Sequence, residues 1–110
     1  MKNYTTKEQS KRLIELGVPE NSADCYYTEE SNTPNWIEEG KKYSEINISD
    51  NLTPCWSIGQ IINVLSESYK LHSSFSYVYD LGNRFTCDEW IKEVEFRIED
   101  NSLDFKNYNK

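Results

Sequence analysis

The first regular pattern of apolar and polar residues along the chain lies in TTKEQSKRLIELGVP, residues 5–19. Thr5 and Thr6 are each followed three residues later by Glu or Gln, which gives two alternative capping boxes at a helix start. Gly17 and the proline two residues beyond it form a typical stop signal, because glycine adopts the left-handed conformation and proline cannot continue a helix. We therefore predict a helix that ends at about Leu16. Its core face should be small: Leu13, Leu16 and part of Ile14.

The helical spacing is lost between residues 24 and 50, where shorter runs of aromatic and β-branched residues are separated by turn residues. We predict three short strands here: DCYYTEE, NWIEE and KKYSEINI. A turn at Glu39-Gly40 would join the last two strands as a hairpin. That register would produce two cross-strand pairs: Glu38 with Lys41, and Trp36 with Tyr43.

A second helix is predicted from PCWSIGQIINVL, which begins at Pro54. Ser57 is the predicted N-cap because Gln follows three residues later, and Trp56 and Ile61 then occupy the two positions of a hydrophobic staple. A start at Thr53-Pro54 is an alternative that would shift the boundary without changing the buried face. The apolar stripe would comprise Ile58, Ile61, Ile62, Leu65 and Tyr69. The cysteine and tryptophan of this stretch therefore have a structural explanation.

The clearest strand pattern in the chain is SFSYVYDL, residues 74–81, in which apolar and polar positions alternate before a Gly-Asn turn. Thr86 is the predicted N-cap of a third helix, since Glu follows three residues later and Phe85 and Trp90 have staple spacing. That helix should end near Asn101. Its apolar stripe would comprise Cys87, Trp90, Ile91, Val94 and Ile98.

Together these elements predict an α+β fold, with three helices packed on a small antiparallel sheet in a single domain over residues 1–110. Only 36% of the residues are hydrophobic, but eight Tyr, four Phe and three Trp supply large side chains for the core. The tail, residues 102–110, is expected to fray in part. Leu103 and Phe105 nevertheless give it apolar side chains with which to dock.

The formal charge of the chain is −7 at neutral pH, and the acids are concentrated in residues 18–52 and 86–110. Binding to phosphate backbones needs clustered Lys and Arg, so we expect no nucleic-acid partner. The chain opens with MKNYTTKEQSKRL, and no segment approaches the roughly 20 apolar residues that cross a bilayer. We therefore expect a cytoplasmic protein with no membrane association.

Three cysteines, Cys25, Cys55 and Cys87, and the single histidine His72 are the residues best suited to chemistry. An odd number of cysteines without a CxxC pair disfavours a disulfide framework or a zinc site, so buried reduced thiols are the default expectation. A thiol beside a helix start can have a lowered pKa, and His72 could act as a base for Cys55. No common nucleotide, zinc or calcium motif occurs, so we predict no catalytic, cofactor-binding or metal-binding residues.

Phe96 departs from the pattern of the third helix, because helical spacing turns it away from the Val94 stripe and into charged residues. It should be exposed unless the tail folds back over it, and contact with another chain is the other explanation. An aromatic hairpin could similarly pair through an unprotected edge strand. The candidate partner-binding residues are Phe96, Trp36 and Tyr43.

The strings TTKEQSKRLIELGVP, ADCYY, PCWSIGQII and WIKEVEFRIEDN together resemble one family. It consists of small uncharacterised proteins of Bacteroidetes genomes, many of them in prophage or mobile-element neighbourhoods, with an EQSKxLxELG-like start and a PxWS(I/L)G-like centre. The resemblance covers the two ends and the centre of the chain and leaves residues 28–51 without a counterpart. It implies no particular activity and no catalytic residues.

We therefore predict a non-enzymatic accessory or protein-interaction module of a phage or mobile element, because capped helices and strands explain nearly every distinctive residue. One alternative is an acidic nucleic-acid mimic that inhibits a DNA-binding protein, which would need carboxylates in one continuous track. Another is a cysteine-dependent enzyme that uses Cys55 and His72. The identity of a protein partner and the oligomeric state stay open.

Overall fold

The computed structural model describes residues 3–46, 51–68 and 85–107. These ranges contain three α-helices: α1 (Lys7–Glu15), α2 (Ile58–Ser68) and α3 (Cys87–Glu99). They also contain three strands: β1 (Cys25–Tyr27), β2 (Asn35–Trp36) and β3 (Thr53–Cys55). Short 3-10 helices cover Glu20–Ser22, Tyr43–Glu45 and Phe105–Asn107. The predicted α+β fold, with three helices and a small antiparallel sheet, is confirmed.

Helix α1 begins and ends where the sequence predicts. Thr6 is the N-cap, since its side chain accepts a hydrogen bond from the Gln9 backbone N–H at 3.2 Å. The Gln9 side chain completes the capping box by accepting from the Thr6 N–H at 2.8 Å. At the other end Gly17 has φ +98°, and the Val18 N–H donates to the Leu13 carbonyl at 3.1 Å. This Schellman motif directs the following residues back onto the core.

Helix α3 follows the same plan with asparagine in place of glycine. Thr86 and Glu89 form the predicted capping box, and the rings of Phe85 and Trp90 meet edge to face with their centroids 5.1 Å apart. The staple prediction is therefore confirmed. The helix ends with Asn101 in the left-handed conformation at φ 63°. Asparagine tolerates this conformation better than most residues, because its short polar side chain can bond locally.

Helix α2 has only half of its predicted capping box. The Ser57 hydroxyl accepts from the Gln60 backbone N–H at 3.1 Å, as expected. The Ser57 N–H, however, donates to Asp24 Oδ1 at 2.9 Å, while the Gln60 side chain donates to the Ser22 carbonyl at 2.6 Å. A carboxylate from the residue before β1 thus replaces the glutamine. Its negative charge lies at the positive end of the helix dipole, where it is stabilising.

The sheet is antiparallel, with strand order β2-β1-β3. The sequence pattern does not predict strand β3, because Thr53-Pro54 is also typical of a helix start. Pro54 lies opposite Tyr26 of β1. Since β3 is an edge strand among the described elements, a residue without a backbone N–H is tolerated there.

Part of the hairpin predicted within residues 24–50 is wrong. The turn is present, because Gly40 has φ +87° and Glu38 and Lys41 form an ion pair of 3.3 Å. The described part of the third predicted strand is, however, a 3-10 helix that contains Tyr43. Trp36 therefore does not face Tyr43 across strands and lies opposite Cys25 instead.

The main core lies between the three helices and is closed by the tail. Its largest fully buried side chains include Trp56 and Trp90. Leu103 of the tail belongs to this core and Phe105 packs against it, whereas Ile98 departs from the predicted stripe and is partly exposed.

Within the described ranges, no helix is long and apolar enough to span a membrane. The predicted strand at residues 74–81, the turn after it, Tyr69 and His72 lie outside the described residues.

Candidate functional site

Cys25, on the central strand β1, and Cys55, on the edge strand β3, lie directly opposite each other at one end of the ladder that pairs the two strands. Residues that oppose each other in an antiparallel pair carry their side chains on the same face. Both thiols are free, and both residues have no exposed surface. With Tyr27 they form a small second core cluster, against which Tyr4 packs. The sheet thus holds two neighbouring thiols in a closed, partly polar pocket of side chains.

Thr5 is the residue that satisfies the polar atoms around this pair. Its carbonyl accepts the Tyr27 hydroxyl at 2.8 Å and the Cys55 thiol at 3.4 Å. Its hydroxyl accepts a hydrogen bond from the Trp56 backbone N–H at 3.1 Å and donates one to the Cys55 sulfur at 3.8 Å. A further contact of 2.7 Å joins it to the Ser10 hydroxyl. A fully buried threonine is stable here because these contacts replace its lost hydrogen bonds to water.

Backbone pairing places Thr5 over the thiols. The Thr5 N–H donates to the Trp56 carbonyl and the Ile58 N–H donates to the Asn3 carbonyl, both at 2.9 Å. Tyr4 and Ser57 form an antiparallel bridge between these two bonds. Residues 3–5 therefore act as a short cover strand along the chain that leaves β3. We use the name cover strand for residues 3–5 below.

The two thiols do not titrate independently. A hydrogen bond from Cys25 lowers the pKa of the Cys55 thiol, burial opposes that effect, and a hydrogen bond from Thr5 adds to it. The same contact with Cys55, together with burial, raises the pKa of Cys25. In the thiol form Cys25 also donates to Asp24 Oδ1 at 3.6 Å. Cys55 is thus the sulfur of the pair that ionises first, and Cys25 keeps its proton.

Trp56 joins the thiol cluster to the main core. Its indole N–H donates to the Ser22 hydroxyl at 2.9 Å, and its ring belongs to the cluster that contains Ile61. Next to it, the Ser57 hydroxyl donates to Asp24 Oδ2 at 2.6 Å. Trp56 therefore connects the start of α2 to the main core, and Ser57 connects it to Asp24, the residue before β1. We call these two connections the structural joint at the start of α2.

The catalytic alternative for Cys55 lacks an accessible nucleophile in this conformation, because the residue is completely buried. His72 lies outside the described residues, so its distance from Cys55 is not defined. Cys87, at the first position of α3, is also buried, and burial raises the pKa of its thiol to about 11. At neutral pH that thiol is protonated and a weak nucleophile. Across the part of the chain that the structure describes, no three metal-ligating side chains converge.

The three candidate partner-binding residues occupy different environments. Trp36 on β2 is 60% exposed and Phe96 on α3 is 56% exposed. The described part of the tail, up to Asn107, leaves Phe96 exposed, and the Arg97 guanidinium lies 5.5 Å from its ring centroid. Tyr43 is half-buried against the main core, and its hydroxyl donates to the Leu52 carbonyl at 3.0 Å. Two of the three candidates therefore present an aromatic ring to solvent, while Tyr43 is largely occupied by the fold.

The acidic side chains are interleaved with basic ones. Arg97 pairs with Glu93 at 2.8 Å and with Asp100 at 3.5 Å. Arg12 of α1 pairs with Glu95 of α3 at 3.0 Å. These contacts place a basic side chain beside two carboxylates of α3, Glu93 and Glu95, and beside Asp100, which follows the helix.

Sequence reasoning missed the pairing of Cys25 with Cys55 and the roles of Thr5 and Asp24. The run DCYYTEE did indicate a strand, but nothing local indicated its partner. PCWS contains two strand residues, a staple residue and an N-cap in immediate succession, and the helix-start signal masks the strand. Because Cys55 lies in a segment that the pattern predicts as a helix start, no sequence signal indicated that it pairs with Cys25.

The chain matches no protein-family model, no curated protein and no solved structure.

Proposed function

We propose that the protein is a non-enzymatic interaction module that binds another protein through exposed aromatic side chains. The observation that supports this most strongly is the contrast among its tryptophans. Trp56 and Trp90 are completely buried, whereas Trp36 is 60% exposed. Exposed tryptophan is costly to leave in water and is enriched among the residues that dominate binding energy at protein interfaces.

The position of Trp36 adds to this argument. It lies on β2, which is an edge strand of the described sheet. An edge strand presents backbone groups that a partner can pair with, and a neighbouring aromatic ring can add apolar contact area. Phe96 provides a second exposed ring on α3. Either ring alone would be unremarkable, since single exposed apolar residues are common.

Two other functions have less support. A thiol-dependent enzyme would need Cys55 to reach substrate, and the cover strand and the sheet bury it fully. A nucleic-acid mimic would need continuous negative charge, and Arg12 and Arg97 place basic side chains beside Glu95 and Glu93 of α3. The resemblance to prophage-associated proteins favours an accessory role in the cytoplasm of a bacterial host, which is part of the same proposal.

The test compares the proteins captured from a native host by the wild type with those captured by Trp36→Ser and Phe96→Ser. We expect at least one protein to be recovered with the wild type and lost with one or both variants. Glu99→Gln is the matched control, because it changes an exposed residue of α3 without removing apolar surface. Calorimetry with the purified partner should show the same difference: the wild type and Glu99→Gln bind it, and the aromatic variant that failed to recover it binds more weakly.

Equal recovery of every partner by the wild type and both aromatic variants would contradict the proposal. Turnover of a thiol-reactive substrate by the wild type, abolished in Cys55→Ser, would favour the enzyme instead.

A further inference from the structure

The register of β1 and β3 places two cysteines in the geometry of a cross-strand disulfide. Directly opposed residues of an antiparallel pair have Cα atoms roughly 4.5–5.5 Å apart. Disulfides are built across Cα separations of roughly 4.4–6.8 Å, with the two side chains on the same side. Cys25 and Cys55 satisfy both conditions through their register alone. Cys87 lies on α3 and is not placed opposite either cysteine by strand register, although it is near enough to Cys55 for the two thiols to interact electrostatically.

We propose that Cys25 and Cys55 form a reversible cross-strand disulfide by exchange with a low-molecular-weight disulfide, such as oxidised glutathione. The function proposed above does not depend on this modification, and the modification does not depend on a protein partner. The protein would therefore exist in a dithiol form and a cross-linked form, according to the thiol and disulfide content of its surroundings.

The exchange has two steps. The Cys55 thiolate attacks one sulfur of the glutathione disulfide, a Cys55–glutathione bond forms, and one glutathione thiolate leaves and takes up a proton. The Cys25 thiol then gives its proton to solvent and attacks the Cys55 sulfur, which expels the second glutathione. The two protein thiols lose two electrons and two protons, and one glutathione disulfide becomes two glutathione thiols.

The assignment of the first attack to Cys55 follows from its surroundings. The Thr5 hydroxyl is oriented as a donor to the Cys55 sulfur. Neutral donors aimed at a buried thiolate favour the ionised form of the group that attacks. Cys25 has the Asp24 carboxylate beside it, which disfavours a second negative charge. The pair thus contains one sulfur suited to attack and one suited to resolve the mixed disulfide.

Access to the pair requires a local opening, because neither cysteine has exposed surface. The cover strand is the segment best placed to open. It spans residues 3–5, and two backbone hydrogen bonds hold it to Trp56 and Ile58. A segment held by few backbone hydrogen bonds opens at a lower free-energy cost than a strand that is paired on both sides. The exchange should therefore be slow, at a rate set by opening rather than by the reactivity of the thiolate.

The cross-link would join β1 to β3 and close the chain between them into a loop that includes Trp36. Closing a loop of this length restricts the unfolded chain, so the oxidised form should melt roughly 10 °C above the reduced form. Excess reduced glutathione would reverse the exchange and restore both thiols.

The experiment incubates native Cys87→Ser protein in buffers with varied ratios of reduced and oxidised glutathione and follows its mass and melting temperature. In a parallel experiment, denatured protein is refolded in each buffer, so that the equilibrium between the dithiol and cross-linked forms is reached without opening of the native structure. We expect a loss of two hydrogens per chain, a peptide that links Cys25 to Cys55, and the higher melting temperature. Cys25→Ser should stop at a single glutathione adduct.

The absence of the Cys25–Cys55 linkage in both experiments at high oxidised glutathione would overturn the proposal. So would a cross-linked form that melts below the reduced form, since its geometry would then be incompatible with the native sheet. The wild-type chain supplies a further check, because Cys87 should remain a free thiol in the oxidised product. A linkage to Cys87 would also contradict the proposal.

Discussion

Trp56 and Trp36 are the same residue type in opposite environments. Trp56 is enclosed by the main core and donates its indole N–H to Ser22, whereas Trp36 projects from an edge strand. Removal of a large side chain from a core costs its transfer free energy and leaves a cavity. Removal of an exposed side chain costs neither. The two tryptophans therefore separate the residues that build the fold from those that are available for binding.

This contrast predicts the stability of two matched variants. Trp56→Ala should lower the free energy of unfolding by about 3–5 kcal/mol, as large core truncations do. Trp36→Ala should change it by no more than about 0.5 kcal/mol. Urea unfolding followed by circular dichroism measures both values. A Trp56→Ala protein as stable as Trp36→Ala would show that the joint at the start of α2 is not packed as described.

The raised pKa of the Cys87 thiol predicts that the folded protein loses stability at alkaline pH. Burial raises the pKa of its thiol in the folded protein to about 11, above the ordinary value of 9.0. Between these values the unfolded chain has released a proton that the folded chain retains, so the free energy of unfolding falls as pH rises from about 9 to about 11. Cys87→Ala should reduce this slope. It should not abolish it, because the pKa values of Cys25 and Tyr27 are raised as well. Identical slopes for wild type and variant, measured by urea unfolding, would contradict the assignment.

At the scale of the elements, helix ends were predictable and strand pairing was not. The caps of α1 and α3 depend on residues three or four positions apart, so local spacing was sufficient to place them. The pairing of β1 with β3 joins residues far apart in sequence, and strands of two or three residues leave almost no periodic signal. The thiol pair exists only through that pairing. The sequence could therefore predict the buried tryptophan beside Cys55 but not the cysteine opposite it.

Two glycines test the element boundaries with the same substitution. Gly17 ends α1 at φ +98°, where a side chain is strained, so Gly17→Ala should destabilise the protein by about 1 kcal/mol. Gly59 lies in the first turn of α2 without a positive φ, and an added Cβ would meet nothing nearer than the Ser57 hydroxyl at 4.0 Å. Gly59→Ala should therefore stabilise the protein by roughly 0.5 kcal/mol. Thermal unfolding of both variants measures the difference, and shifts in the same direction would disprove the predicted boundaries.

At the scale of the whole molecule, the described residues separate a closed interior from a surface on which the aromatic rings of Trp36 and Phe96 are exposed. The cover strand, the sheet and α2 meet at Cys55, and their hydrogen bonds satisfy the polar atoms of Thr5, Tyr27 and Asp24 there. Cys25 and Cys55 have no exposed surface in the described conformation. Binding at Trp36 and slow disulfide exchange at Cys55 are compatible, because one uses the surface and the other needs a local opening.

The most direct test of this account measures how fast each cysteine of the native protein reacts with a thiol reagent near neutral pH. Mass spectrometry of peptides separates the labelling of Cys25, Cys55 and Cys87, and denatured protein provides the rate for full exposure. The account predicts that all three react far more slowly in the native protein than in the denatured chain. It also predicts that the Cys55 rate is set by opening of the cover strand and rises with mild denaturant. Rapid and selective labelling of Cys55 in the native protein would contradict a structural joint and would establish an accessible, activated thiol.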